Sequence, residues 1–180
     1  KHWEKIYAAK QMNEVSWYQE KPTASLNIIT ELVKDKNAAI IDVGGGDGFL
    51  VDNLLELGYT NITVLDISKN AINRAKKRLG DKALLVNWVV SDITDYKPNQ
   101  QFALWYDRAV FHFLTDVQEI EAYKNLVGSA CTENFILATF SDVGPDKCSG
   151  LVVSKYSQQD MLAAFSDDFV QLQAFNNLHN

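Results

Sequence analysis

The chain has 180 residues, of which 47% are hydrophobic and 22% charged, and its net charge is −6. This length and composition predict one domain with an adequate core, and they argue against intrinsic disorder and a disulfide-stabilised miniprotein. The acidic balance argues against nucleic acid as a partner, because such binding depends on cationic side chains. Two cysteines, no signal sequence and no apolar run of ~20 residues lead us to expect a cytoplasmic protein that does not enter a membrane.

The first third of the chain changes from helical to alternating patterns. Helical spacing over residues 3–12, a loop over 13–21 and a second helix over 23–33 predict a helical cap spanning residues 1–36. From residue 38, short β-branched runs alternate with amphipathic stretches, which is typical of parallel strands joined by crossover helices. The candidate strands are 39–43, 62–65, 83–90, 102–106, 135–140 and 169–175. We therefore predict a single α/β domain over residues 1–180, with a Rossmann-like core from 37 to 180 and helices on both faces of a mostly parallel sheet.

The clearest helix is predicted over residues 70–79. Ser68 is suited to cap its first turn, and Gly80 follows its last turn. Lys76, Lys77 and Arg78 lie in that last turn, where their charge complements the helix dipole. Because open parallel sheets bind ligands at the carboxyl ends of their strands, we expect the functional residues in the loops between strands and helices.

The strongest motif follows the first strand, where Asp42 precedes Gly44, Gly45, Gly46 and Gly48. Glycines allow positive φ and let the main chain approach a ligand closely. The dinucleotide pattern is incomplete because its third glycine is absent, and a Walker loop would need a lysine. An acidic residue here would repel a diphosphate and attract a cation. The alternative is a tight turn without a ligand.

Two further strand ends carry carboxylates. Asp66 ends the second strand 18 residues after the last glycine of the loop, and its carboxylate could accept hydrogen bonds from both hydroxyls of a ribose. Its neighbour Ile67 is expected among the cofactor-binding residues. Asp92 ends the third strand and could accept from an adenine amino group while Ile93 packs on the ring. Alternatively, Asp66 serves only to begin the following helix, and strand-end aspartates such as Asp92 are common in turns.

Together these motifs resemble the class I S-adenosylmethionine-dependent methyltransferases. The family's glycine motif matches residues 42–48, its ribose acid matches Asp66, and its adenine-contacting pair matches Asp92 and Ile93. The resemblance covers nearly the whole chain. It implies S-adenosyl-L-methionine as cofactor, S-adenosyl-L-homocysteine as product, and a seven-stranded sheet that ends in an antiparallel hairpin. Only six candidate strands precede Asn180, so the last family strand is not evident.

The segment after the fourth strand resembles bacterial methyltransferases with the same Asp-Arg-Ala-Val-Phe-His string. The resemblance implies that this loop lines both the cofactor and the methyl acceptor. Asp107 is then expected to offset the sulfonium charge, His112 to take a proton from the acceptor, and Phe111 to press the acceptor against the methyl group. Arg108 joins the substrate-binding residues, although it cannot act as the base. Alternatively, His112 is a buried core residue and Arg108 forms a structural ion pair.

Two loops are expected to cover the site, the first by the family resemblance and the second by its length and its position after the fifth strand. Trp17 and Tyr18 are expected to fold over the bound cofactor and contact the acceptor, because aromatic faces attract cations such as a sulfonium. The alternative is that they only attach the N-terminal arm to the core. We expect the loop over residues 141–150 to close over the acceptor. No histidine and cysteine cluster has metal-binding spacing, so we expect no metal.

These features favour methyl transfer by direct displacement, which needs alignment of two reactants and at most one proton acceptor. The acidic chain and capped site favour a small-molecule acceptor such as an amine or a thiol. A second hypothesis is N-methylation of a lysine on a partner protein. A third is a regulatory module that binds S-adenosylmethionine without catalysis. The sequence gives no expectation for the oligomeric state.

Overall fold

The computed structural model describes residues 2–9, 19–108 and 110–176. Five parallel strands form one sheet in the order β3-β2-β1-β4-β5. The strands are β1 (Ile40–Val43), β2 (Ile62–Asp66), β3 (Val86–Val90), β4 (Phe102–Asp107) and β5 (Cys131–Leu137). The α/β class with a parallel sheet is therefore confirmed.

Six helices accompany the sheet in the described part of the chain. They are α1 (His2–Ala9), α2 (Thr23–Leu32), α3 (Leu50–Glu56), α4 (Lys69–Leu79), α5 (Val117–Ala130) and α6 (Gln158–Phe165). Because β1 and β4 are buried along their whole length or nearly so, both faces of the sheet must be covered. One core cluster contains Leu26 of α2, Leu54 of α3 and Ile72 of α4. The other contains Tyr123 of α5 and Phe165 of α6.

Local sequence signals define the helix ends. The Ser68 side chain accepts a hydrogen bond from the Ala71 N–H, and α4 ends at Gly80, whose φ is +57°. The Asp116 carboxylate accepts from the first free N–H groups of α5. Ser157 and Asp160 form a reciprocal capping box at α6. The helix predicted over 70–79 is therefore confirmed with its start one residue earlier.

Two predicted strands begin elsewhere. Residues 83–85 belong to a 3₁₀ helix (Gly80–Leu85), and the Trp88 indole donates to the Ala83 carbonyl, so β3 begins at Val86. Strand β5 begins at Cys131 and ends at Leu137, earlier than predicted. Its first residues are polar, which an edge strand tolerates because one side faces solvent.

The sixth strand, predicted over residues 169–175, is wrong. The chain instead forms α6 and then continues without strand pairing through residue 176. Val170, Leu172 and Phe175 are exposed, whereas the Phe169 ring packs on Phe135 at 5.1 Å between centroids. A strand is stabilised by hydrogen bonds to a neighbour as well as by its alternating pattern, and this segment has no such neighbour.

The predicted cap contains two helices with different positions. Helix α2 packs into the core, whereas α1 lies against α4, which follows the carboxyl end of β2. Of the predicted helix 3–12 and loop 13–21, residues 10–18 lie outside the described residues. The loop over 141–150 includes part of a short antiparallel hairpin of β6 (Lys147–Cys148) and β7 (Leu151–Val152). None of the described helices is both long and apolar enough to span a bilayer.

Candidate functional site

The carboxyl ends of β1, β2 and β4 meet at one edge of the sheet. Val43 of β1 pairs with Leu65 of β2 and with Asp107 of β4, which brings the acidic residues of the three strands close together. A cleft of about 2030 Å³ opens at this edge and extends past the 141–149 loop to the outer edge of β5. The cleft opens at the edge where the sequence predicts the functional loops.

The glycine loop crosses the mouth of β1. The Gly44 N–H donates to the Leu65 carbonyl at 2.7 Å, which ties the loop to β2. Gly46 has a φ of +54°, and a Cβ there would lie 2.6 Å from the Tyr7 hydroxyl and 3.2 Å from Asp66 Oδ2. Only glycine fits between these two groups. Gly44, Gly45 and Gly48 line the cleft, and Gly46 lies beneath Tyr7.

Asp66 is buried at the end of β2 and lines the cleft. Its Oδ1 accepts a hydrogen bond from the Ser68 N–H at 2.7 Å. Burial, reinforced by the charges of Asp47 and Glu4, raises the pKa of Asp66 to about 7, although main-chain N–H groups of Ser68 and Gly46 oppose this rise. A carboxylate in this state gains from a ligand that donates hydrogen bonds or brings positive charge.

Asp42 is the second buried carboxylate of the cleft. Burial, followed by the charges of Asp66 and Asp107, raises its pKa to about 7, and the Arg108 charge acts in the opposite direction. Asp42 and Asp66 thus repel each other as anions in a weakly hydrated site. The mouth of the first two strands is accordingly suited to a cation.

These two pKa values predict that cofactor affinity depends on pH. Between pH 8 and pH 6, Asp42 and Asp66 take up protons in the ligand-free protein, so a cationic nucleoside should bind more weakly at pH 6. The stability of the ligand-free fold has the opposite dependence on pH. Both pKa values exceed 3.8, so the associated stability is fully present below about pH 4 and is lost as the pH rises through 7. Calorimetry in buffers of different ionisation enthalpy should detect proton release on binding, and constant affinity from pH 6 to 8 would contradict this expectation.

The structure places Asp107 beneath the cleft, where it does not line the wall. Its Oδ1 accepts from the Val110 N–H at 2.8 Å, and its Oδ2 accepts from the Phe111 N–H at 3.2 Å and the Tyr123 hydroxyl at 2.6 Å. Through these hydrogen bonds the carboxylate holds Val110 and Phe111 in place after β4. Asp107 therefore positions the loop after β4. The sequence predicted instead that its charge would offset the sulfonium.

Phe111 does not line the cleft, although the sequence predicted that it would contact the methyl acceptor. It is fully buried, and its ring stacks on Tyr156 at 5.1 Å and contacts Tyr123 and Phe165. Residues 111–113 form a 3₁₀ turn, in which neighbouring side chains point in different directions. Phe113 lines the cleft in its place and packs against Trp3 of α1 at 5.1 Å.

His112 and Arg108 both line the cleft. His112 is 3% exposed, and within the described part of the chain neither ring nitrogen has a hydrogen-bond partner. Its ring contacts Phe113 and Phe140, with centroids 4.3 and 4.9 Å apart. Burial lowers the pKa of His112 to about 4, so the ring is neutral at pH 7 and can accept a proton or a hydrogen bond.

The predicted adenine residues lie at the neighbouring strand end. Asp92 lines the cleft, and its Oδ1 accepts from the Thr94 N–H and hydroxyl at 3.1 and 2.9 Å. Ile93 is buried at the cleft wall, whereas Ile67 is exposed to the cleft. Trp17 and Tyr18 lie outside the described residues. Among the described residues, no group of three potential metal ligands occurs.

Sequence reasoning missed the role of Arg78. Its guanidinium reaches from α4 and binds both carboxylate oxygens of Asp52 at 2.9 and 2.6 Å. It also donates to the carbonyls of Asp47 and Gly48 at 2.6 and 2.8 Å and lies over the Phe49 ring. One side chain thus joins the glycine loop to the start of α3. The sequence indicated only a cation near a helix end, because the partners are 26 to 31 residues away.

Glu4 of α1 was also not anticipated. Its Oε1 accepts from the Lys69 N–H at 2.5 Å and from the Asn70 N–H at 3.3 Å. It therefore caps the first turn of α4, directly after Asp66 and Ser68. The contact fixes α1 beside the end of β2. Capping by a residue some 65 positions earlier leaves no local pattern in the sequence.

Comparisons with known proteins identify the family of the chain. Residues 40–129 match a family described as "Methyltransferase domain". The chain is 30% identical over 109 residues to malonyl-[acyl-carrier protein] O-methyltransferase 1 of Ilyobacter polytropus, a match that covers 60% of this chain and 40% of that protein. It is 25% identical over 121 residues to the eEF1A lysine and N-terminal methyltransferase of Mus musculus, covering 66% of this chain and 17% of that protein.

A solved S-adenosylmethionine dependent methyltransferase from Mesorhizobium loti has the same fold. Its TM-score is 0.65 at 17% identity, over 83% of this chain and 82% of that one. The chain spans less than half the length of the two curated relatives described above. The family match covers half of the chain and contains the glycine loop, Asp66, Asp92 and His112. The chain therefore belongs to the class I S-adenosylmethionine-dependent methyltransferases.

Proposed function

We propose that this protein transfers a methyl group from S-adenosyl-L-methionine to a small-molecule amine or thiol. The observation that carries the proposal is the meeting, in one cleft, of the buried carboxylates of Asp42 and Asp66 with a neutral histidine that has no hydrogen-bond partner among the described residues. The carboxylates suit a cationic nucleoside, and the histidine suits a nucleophile that loses a proton. Gly46 supports the fit, since a Cβ there would intrude on Asp66.

Each residue of the cleft has a separate role in this proposal. Asp66 accepts hydrogen bonds from the ribose hydroxyls, and Asp42 faces the positively charged part of the cofactor. Asp92 binds the adenine amino group, with Ile67 and Ile93 packing on the ring. The cofactor supplies a methyl group on a sulfonium, and the acceptor's lone pair forms the new bond as the carbon–sulfur bond breaks and its electrons return to sulfur.

His112 is the proposed proton acceptor. The acceptor's nitrogen or sulfur loses one proton in the reaction. The neutral imidazole has one unprotonated ring nitrogen to take it, and no group of the described chain is hydrogen-bonded to either ring nitrogen. Phe113 and Phe140 hold the ring from two sides. Asp107 assists by fixing the segment that carries His112.

Replacing His112 with alanine should lower turnover about 10²-fold or more, the range of general-base catalysis, while cofactor affinity stays within about twofold. His112→Gln keeps a hydrogen-bond acceptor without a titrating ring and should be similarly slow. Added imidazole should restore part of the turnover of His112→Ala. Unaltered kinetics in both variants would return His112 to a packing role.

The acceptor class is tested by measuring S-adenosylhomocysteine release with a panel of amines and thiols and with a cell lysate. Turnover with a small molecule supports the proposal. Turnover only with the protein fraction would favour lysine methylation, the alternative suggested by the similarity to the lysine and N-terminal methyltransferase. Tight cofactor binding without any turnover would favour a regulatory module.

A further inference from the structure

Arg108 lines the cleft at the end of strand β4. It directly follows Asp107, whose carboxylate accepts hydrogen bonds from the N–H groups of Val110 and Phe111. Its half-buried side chain lines the same cleft as His112. Arg108 is thus on the chain segment that also carries His112, and both side chains line one cleft.

The Arg108 guanidinium has no partner among the described residues. The chain has three arginines, and the other two, Arg74 and Arg78, each pair with a carboxylate and donate to main-chain carbonyls. The ion pairs of the described chain do not include Arg108, and it forms no side-chain hydrogen bond there. The structural ion pair weighed from the sequence is therefore not formed. A half-buried cation without a partner is a costly arrangement unless a ligand supplies the anion.

The surrounding charge narrows the ligand. Asp42 lies near enough for the Arg108 charge to be felt, but beyond ion-pair distance. Arg108 and Lys147 are the only lysine or arginine side chains among the described residues that line the cleft, and Lys147 is exposed on the β6–β7 hairpin. A planar guanidinium binds a carboxylate through two parallel hydrogen bonds, which gives orientation as well as affinity.

We infer that Arg108 binds a carboxylate on the methyl acceptor, so that the acceptor is a small metabolite with an acid group as well as its amine or thiol. This inference rests on the proposed function. Because the acid is held at residue 108, the nucleophile is directed toward His112, four residues later on the same segment. The cofactor's own methionyl carboxylate offers the same chemistry, and the experiment must separate the two.

Protein saturated with S-adenosylhomocysteine is titrated with succinate and, for comparison, with the neutral succinamide. Succinate should bind and succinamide should not. Arg108→Met should weaken succinate binding at least tenfold, and Arg108→Lys should weaken it less because the charge remains. Lys147→Met, which removes the other cleft cation, should change it less than twofold. Absent succinate binding, or equal binding to Arg108→Met, would overturn the inference.

The cofactor's carboxylate is tested separately by the affinities for S-adenosylhomocysteine and for 5′-methylthioadenosine, which lacks the amino-acid part. Arg108→Met should change both less than twofold. If it weakens S-adenosylhomocysteine tenfold and leaves 5′-methylthioadenosine unchanged, Arg108 serves the cofactor and the inference is wrong. Failure of the wild type to bind either nucleoside would instead contradict the proposed function.

Discussion

Replacing Asp66 with alanine should raise the dissociation constant for S-adenosylmethionine at least tenfold, which corresponds to about 1.4 kcal/mol. In the proposed function this buried carboxylate accepts from two ribose hydroxyls, and hydrogen bonds to a charged acceptor are stronger than those between neutral groups. Calorimetric titration of the purified protein with S-adenosylmethionine and S-adenosylhomocysteine measures the change.

The thermal stability of Asp66 variants distinguishes a residue that binds the ligand from one that only stabilises the fold. Because burial raises the pKa of Asp66 to about 7, its ionised form destabilises the ligand-free fold above that pH. Asp66→Asn keeps an acceptor for the Ser68 N–H and removes the charge, so at pH 8 it should melt at a higher temperature than the wild type while binding cofactor more weakly. Asp95→Ala, at an exposed position near the end of β3, is the control. If Asp66→Ala has the same dissociation constant for S-adenosylmethionine as the wild type, Asp66 does not bind the ribose.

The parts of the site that could be predicted depend on short segments. A buried strand followed by a glycine-rich turn gives the position of Asp42 and the loop after it, because neighbouring residues determine both the strand and the turn. Asp66 and Asp92 follow from the same logic, since parallel strands bring their carboxyl ends to one edge. The fold class was predictable for the same reason.

The parts that were mispredicted depend on orientation or on distant partners. Whether Phe111 or Phe113 faces the cleft is decided by how Asp107 bends the chain after β4, which no local pattern records. The false strand over 169–175 shows the same limit, because alternating apolar residues satisfy the pattern whether or not a neighbouring strand exists. That Arg108 has no ion-pair partner among the described residues likewise becomes visible only in the three-dimensional structure.

The second large effect is expected from Arg78, whose side chain joins α4 to the glycine loop and to the start of α3. Arg78→Met removes a bidentate, half-buried pair with Asp52 and leaves two loop carbonyls without these donors. We expect a loss of about 1–3 kcal/mol in unfolding free energy and a roughly tenfold weaker affinity for S-adenosylhomocysteine. Chemical denaturation and calorimetric titration measure the two effects.

Two matched variants separate this role from the helix-dipole role that the sequence suggested. Lys77→Met removes a charge from the same last turn of α4, at an exposed position. If the helix dipole alone mattered, Lys77→Met and Arg78→Met would lower stability and cofactor affinity to a similar extent. We expect instead that Lys77→Met binds the cofactor like the wild type. Arg78→Lys keeps the charge but not the fork of donors, and it should recover only part of the affinity. Saturating S-adenosylhomocysteine should widen the difference in melting temperature between Arg78→Met and the wild type, because the ligand stabilises the weaker-binding variant less. A purely structural defect with unchanged affinity would leave that difference about the same. Equal cofactor affinity in Arg78→Met and Lys77→Met would show that the glycine loop keeps its shape without the arginine.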